Sequence, residues 1–449
     1  MFEVPLKMPE INDKLQKGFL FGGWLPKIIP DCQSQFQLPY ENKASYSSDY
    51  YQFQAFLAGM DKNSVASPNP SVGCVIVKDN KILAKGCTHE WKGIHAERDA
   101  FNQVEGKNLE GAHVYLTLEP CTHFGNQPPC VELFRGKGIQ KVFISRLDAN
   151  PHVKENGIRI LKNMGIQVNL GFFSNEITAW NYPFFIQQIL QRPMISLKWN
   201  QSLNGNLLNK NIGMQLNRNP ISHKYTQFLK LKYDSILIDL STLLEDEKSF
   251  NTKDKLEHSH RHPMNIIFDP KANILLCPKN KQLMLKKKYL TKNRKNVFLV
   301  EQNMIREVLS SSSEWSIELK TSKNIKFLPI HNDELNMFYA KDVLECFQNQ
   351  EFINFFGRPL QSIFVEDSPH LLSLFIQDEL FDVAHVFIAS FILSESHHKQ
   401  GARINSVLAK ITEQKATANK RWKLIAQECL GNDTLMEIIP AQRFKEVFC

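Results

Sequence analysis

Apolar positions along the chain follow two periods, and their alternation gives the first structural reading. Between Tyr51 and Met60 they recur at helical spacing, and after the Pro68-Asn69-Pro70 break two β-rich runs, Val72–Val77 and Ile82–Cys87, flank Asp79-Asn80. Asp and Asn tolerate left-handed backbone, so this arrangement predicts a hairpin. A helix is then expected from His95 to Val104, a strand at His113–Glu119, a short helix after Cys130, a strand at Lys141–Arg146, a helix at Gly157–Met164 and a strand at Gln167–Leu170. Strands alternating with helices make the class α/β.

The pattern restarts near Gln191. Strands are expected at Met194–Trp199, Tyr233–Asp239, Asn265–Phe268 and Val297–Val300, then a helix at Glu334–Gln348, a strand at Ser362–Glu366, a helix at Pro369–Gln377 and a strand at Val383–Ala389. The expected division is an N-terminal extension over 1–48, one α/β domain over 49–190, a second over 191–390, and a polar, basic extension over 391–449 with a helix at Ile404–Lys410.

Composition narrows the function classes. With 43% hydrophobic and 22% charged residues the chain is not a disordered one. No apolar run approaches the roughly 18–20 residues of a spanning helix, so no membrane role is expected. The opening Met-Phe-Glu-Val-Pro lacks a basic and an apolar leader region, which places the protein in the cytoplasm. Nine scattered cysteines are too few and too irregular for a disulfide framework and direct attention to metal spacing. The net charge of +8 traces to Lys279–Lys295, which holds eight Lys or Arg and no acid. Without base-reading groups beside it, that run reads as a solvated surface rather than a nucleic-acid groove.

His95-Ala96-Glu97 opens an expected helix, Cys121 follows a strand end, and Cys130 follows Pro128-Pro129. Two thiolates and an imidazole make a three-ligand zinc site whose fourth position is left for water. Zinc brings the pKa of such a water toward about 7. A carboxylate that does not bind the metal must then move protons to the ring nitrogen and the leaving amine, and Glu97 is placed for that role. Eight residues separate the two cysteines, against two in the H-x-E deaminase signature.

The segment Pro68–Val77, His95-Ala96-Glu97, Leu118-Glu119-Pro120-Cys121-Thr122-His123, Gly125, Pro128-Pro129-Cys130 and Asp148-Ala149-Asn150-Pro151 together resemble the deaminase half of the bifunctional riboflavin-biosynthesis deaminase-reductases. The resemblance implies a cytidine-deaminase-like zinc domain, with zinc on His95, Cys121 and Cys130 and Glu97 as proton shuttle. It implies a small-molecule pyrimidine ribotide as substrate, 2,5-diamino-6-(5-phosphoribosylamino)pyrimidin-4(3H)-one. Asn69, His89 and His123 correspond to positions that line the family's substrate pocket, although His89 stands one residue closer to His95 than the family spacing.

Residues 193 to about 390 resemble, more faintly, the reductase half, whose fold is similar to dihydrofolate reductase. The anchors are Arg192–Lys198, Ser202-Leu203-Asn204-Gly205 and Tyr233–Ile238. The resemblance implies NADPH as cofactor, Thr242 and Asp246 as cofactor positions, Lys198 and Glu366 as substrate positions, and a homo-oligomer. Departures fall on the same site: Glu366-Asp367-Ser368 stands where the family has Glu-Gly-Gly, and Lys230 and Lys253 replace arginines. A reductase retained only as a non-catalytic domain is therefore an open alternative. So are a nucleic-acid deaminase and a scaffold with structural zinc.

Overall fold

Asp79 and Asn80 both adopt left-handed backbone, with φ of 50° and 58°, and turn β1 (Gly73–Lys78) directly into β2 (Lys81–Cys87). β1 also pairs antiparallel with β3 (His113–Leu118). β4 (Lys141–Arg146) and β5 (Gln167–Leu170) extend the sheet in parallel, giving the order β2-β1-β3-β4-β5. The computed structural model describes residues 47–60, 66–150, 154–208, 219–245, 263–291, 294–333, 337–393 and 422–448. Residues 1–46 of the expected N-terminal extension and the helix at Ile404–Lys410 lie outside them.

The chain forms two units, Met1–Gln191 with Glu446–Cys449, and Arg192–Lys445. In the first, helix α1 (Ser48–Met60) lies on the sheet, with Tyr51 and Ala55 packed against Val75, Val77 and Tyr115. The approach is so close that a Cβ on Gly73 would fall 1.8 Å from the Ala55 carbonyl oxygen. Helix α2 (Ala96–Gln103) presses on the end of β2 in the same way: a Cβ on Gly86 would meet the Ala96 carbonyl at 2.2 Å. Helix α3 (Asn156–Asn163) precedes β5.

The second unit is a nine-stranded sheet in the order β10-β9-β8-β7-β11-β6-β12-β14-β13. Its strands are β6 (Met194–Ser202), β7 (Ser235–Asp239), β8 (Met264–Phe268), β9 (Asn296–Glu301), β10 (Ile325–Ile330), β11 (Ser362–Glu366), β12 (Val383–Ala389), β13 (Trp422–Leu430) and β14 (Asp433–Pro440). β10 through β12 pair in parallel, whereas β12-β14 and β14-β13 are antiparallel. Strands buried on both faces read as continuous apolar runs. Leu197, Leu237, Ile266 and Val365 serve one core, and Ile238, Ile267, Phe298 and Val300 the other. Helices α4 (Pro220–Lys230), α5 (Leu240–Glu245), α6 (Lys279–Lys288), α7 (Ala340–Glu345) and α8 (Pro369–Gln377) connect the strands.

The structure corrects two expectations and adds a strand the pattern did not show. Of the helix read over Glu334–Gln348, residues 334–336 lie outside the described residues and the helix of the rest is Ala340–Glu345, because Tyr339 is extended and caps α7 reciprocally with Asp342. β10 escapes a reading by pattern since it carries Pro329, which an edge strand tolerates. Residues 422–440 of the expected C-terminal extension form a hairpin of the second sheet, turned at Gly431 with φ of 66°.

Three of the eight basic residues of the run have partners in its own unit. Lys281 donates to the Leu244 carbonyl, Lys286 pairs with Glu318, and Lys295 donates to the Phe355 carbonyl, so these lysines are engaged within the unit. Among the described residues no helix is long and apolar enough to cross a membrane.

Candidate functional site

His95 is the N-cap of α2 in extended conformation, φ −78° and ψ 160°, so its ring leaves the helix start while Glu97 turns inward within the first turn. Cys121 follows the end of β3 and Cys130 opens a 3-10 turn, Cys130–Phe134. The His95 Nδ1 lies 3.7 Å from Cys121 Sγ and 3.4 Å from Cys130 Sγ. Donors about 2.0–2.3 Å from a tetrahedral zinc stand some 3.3–3.8 Å apart, so both His95–cysteine separations suit that ion, and all three donor atoms lie within 4.8 Å of one another. The Cys130 amide donates to Cys121 Sγ at 3.3 Å and the Val131 amide to the Cys121 carbonyl, fixing one ligand on the backbone of the other.

Electrostatics support the same assignment. The Cys130 thiol hydrogen-bonds to Cys121 and drives the Cys121 thiol down to about 4, while Cys130, on the donating side, is driven up. A metal charge is what allows both to be thiolates at once. Glu97 is 4% exposed, and burial first, then the Cys121 charge, push its carboxyl up to about 7. A carboxyl poised near neutrality both accepts and returns a proton.

A residue with no role assigned from sequence holds this site in place. Glu119, buried and two residues before Cys121, accepts backbone N–H bonds from Asp148, Glu155, Gly157 and Ile158. It thereby ties the strand end that carries the cysteine to the N-terminus of α3, where a carboxylate is also favoured by the helix dipole. Only the helix-start glycine and the preceding strand end hinted at it. Asp148 beside it is raised to about 6 by burial, opposed by the Asn150 amide.

The remaining expected residues are more dispersed. His89 lies in the loop after β2, its Nε2 3.4 Å from Asp99 Oδ2 on α2. Asn69 sits in the turn before β1, its amide donating to Ala66. His123 is exposed on the loop between the cysteines, and its charge bears on Asp148.

In the second unit Lys198, Glu366 and His385 are register partners on three adjacent strands, β6, β11 and β12, level with the carboxyl end of β11. Ligands of open α/β sheets bind outside such strand ends. Lys198 Nζ pairs with Asp367 Oδ2 at 2.6 Å, and Glu366 Oε1 with Lys230 Nζ at 2.6 Å. Thr242 on α5 donates its amide to Asp239. Asp246 and Lys253 lie outside the described residues. His385 hydrogen-bonds to Tyr233 and to Glu437 of β14. Burial, then the Lys232 and Lys198 charges, lower His385 to about 3, and burial raises Glu437, so their contact is a neutral hydrogen bond rather than an ion pair.

Residues 47–146 match the family model of the cytidine and deoxycytidylate deaminase zinc-binding region. The riboflavin biosynthesis protein RibD of Aquifex aeolicus is 30% identical over 328 residues, 73% of this chain and 83% of that protein. The chain belongs to the RibD family. A diaminohydroxyphosphoribosylamino-pyrimidine deaminase of Buchnera aphidicola is 44% identical over 119 residues, 26% of this chain and 80% of that one. The crystal structure of a RibD-type deaminase/reductase from Thermotoga maritima superposes with a TM-score of 0.65 at 22% identity, covering 88% of this chain and 98% of that chain, and so shares the fold. RibD membership makes this chain a zinc deaminase joined to a reductase-like domain in riboflavin biosynthesis, with a small molecule as substrate.

Proposed function

We propose that residues 49–190 deaminate the diamino-pyrimidinone ribotide of riboflavin synthesis, and that the unit beginning at Arg192 reduces the ribosyl chain of the product to ribityl. The reaction names are those of the relatives. The observation that carries the reading is the His95, Cys121 and Cys130 donor set with the buried, near-neutral Glu97 in the same helix turn.

His95, Cys121 and Cys130 would hold the zinc, which supplies Lewis acidity toward water at the open position. Glu97 carries one proton from the attacking water to the ring nitrogen, then a second from the hydroxyl left on the ring carbon to the departing amine. The ring carbon exchanges its C–N bond for a C–O bond, and ammonia leaves. Asn69, His89 and His123 would contact the ribotide.

For the second step the reductant proposed is NADPH, with Thr242 and Asp246 on the cofactor side and Lys198 and Glu366 on the substrate side. The donor set does not fit a cofactor phosphate on Lys198, since Asp367 already neutralises that ammonium. Lys198 is therefore read as a substrate residue. A homo-oligomer is the setting carried by the family resemblance.

The test is to incubate zinc-loaded protein with the diamino-pyrimidinone ribotide, with and without NADPH, and weigh the products. Deamination in both tubes and ribityl product only with NADPH is the expected result. Absence of deamination overturns the first assignment, and deamination without reduction overturns the second.

A further inference from the structure

The first unit holds a second group of metal-binding side chains. Cys87 ends β2, His89 follows it, and Asp99 stands in the first turn of α2; one ligand atom from each lies within 4.8 Å of the others. His89 Nε2 to Asp99 Oδ2 is 3.4 Å and Cys87 Sγ to Asp99 Oδ2 is 3.9 Å. These separations are close to the 3.4 and 3.7 Å of the His95 set. The His89–Asp99 separation lies within the edges of about 3.3–3.8 Å expected of a tetrahedron about a zinc-sized ion, and the Cys87–Asp99 separation just beyond them.

The three side chains are brought together by backbone, not by chance contact of long flexible groups. Gly86 lets the end of β2 lie against α2, where any Cβ would meet the Ala96 carbonyl and the Ala100 amide. The Cys87 amide donates to Asp99 Oδ2 at 3.0 Å and orients that carboxylate. The His89 amide donates to the Ile94 carbonyl at 3.0 Å, and Gly93 closes the intervening turn on Glu90. All three residues are half-buried, so an ion and a water can reach them.

We propose that Cys87, His89 and Asp99 form a second site for a zinc-class divalent cation. One thiolate, one imidazole and one carboxylate suit zinc, cobalt or a similar borderline ion and disfavour magnesium or calcium, which take all-oxygen shells. Without a metal the same contacts would be a His89–Asp99 ion pair with the Cys87 thiol donating to Asp99 Oδ2, and the metal count separates the two. Occupation would fasten β2 to α2, the helix that begins at His95 and carries Glu97. The site takes His89 as a metal ligand in place of the ribotide contact proposed above, and its metal count is read without substrate, so it can fail while the deamination stands.

The experiment strips the full-length chain with chelator, reloads it with zinc, equilibrates it against micromolar free zinc and counts metal by mass spectrometry. The expected count is two ions per chain for the parent and one for Cys87→Ser, with deamination by the variant unchanged within about twofold. Cobalt loading supplies a second reading. In the parent the second equivalent adds a thiolate-to-cobalt charge-transfer band, which Cys87→Ser lacks. Cys87→His, which keeps a donor, binds two ions without that added band. One ion in the parent, or two in Cys87→Ser, overturns the proposal.

Discussion

Lys198 and Asp367 form a buried ion pair at 2.6 Å, with side chains 3% and 10% exposed, at the mouth of the parallel strands. Asp367 reaches it from left-handed backbone, φ 40°, and also accepts from Asn200. The second unit therefore presents a neutralised lysine where a free cation would attract anions. Replacing Asp367 by Gly relaxes the backbone but strands a buried ammonium, which costs about 3–5 kcal/mol. Calorimetry should show Asp367→Gly melting earlier than the parent in the second unit, and gaining several degrees more than the parent when inorganic phosphate is added. An equal phosphate response in both proteins would show that Asp367 does not guard Lys198.

Glu97→Gln keeps the shape of the buried side chain and removes its proton chemistry. Deamination should fall by at least about 10²-fold. The zinc content should stay at the parent level, since Glu97 is not among the three donors that face one another. Turnover at the parent rate would leave the zinc with a structural role only.

Glu119→Gln leaves one oxygen accepting from two of the four backbone amides and points an NH₂ group at the other two. Supporting residues around metal ligands are typically worth about 10–100-fold in metal affinity. Competition with a chromophoric chelator should reveal that loss, while the thermal transition of the second unit stays unchanged. Unaltered zinc affinity would separate the α3 anchor from the metal centre.

His385 is neutral when folded, with its value near 3, and titrates near the usual 6.5 once unfolded. Its folded value is depressed, so its contribution is fully present above about 6.5 and is lost as pH falls toward 3, where the unfolded chain takes up a proton that the folded one refuses. Urea titrations of the parent between pH 7.5 and 5 should lose more stability than those of His385→Gln. Parallel pH profiles would remove His385 from that balance.

The zinc site was legible because its chemistry is local. His95-Ala96-Glu97 and Cys121 to Cys130 lie within 36 residues, and each ligand sits at a strand or helix end that the apolar pattern marks. Asp99 and Glu119 were not legible, since one looks like a surface acid and the other acts through backbone amides of a helix that begins 37 residues later. In the second unit the departure at Asp367 could be read from sequence, but its partner could not: Lys198 stands 169 positions away. The hairpin of β13 and β14 did carry a signal, Gly431-Asn432 between two alternating runs, that the polar composition around it concealed.

That hairpin has a temporal consequence. Antiparallel pairing places β14 directly on β12, from Ala384 opposite Ile438 to Ile388 opposite Thr434. A ribosome finishing Ala389 has still to make the intervening segment before Asp433 appears. At roughly 5–20 residues per second the nascent sheet carries an open, apolar strand edge for some seconds. Translation speed across those codons, and the chaperones near the exit tunnel, thus bear on how much of the polypeptide matures.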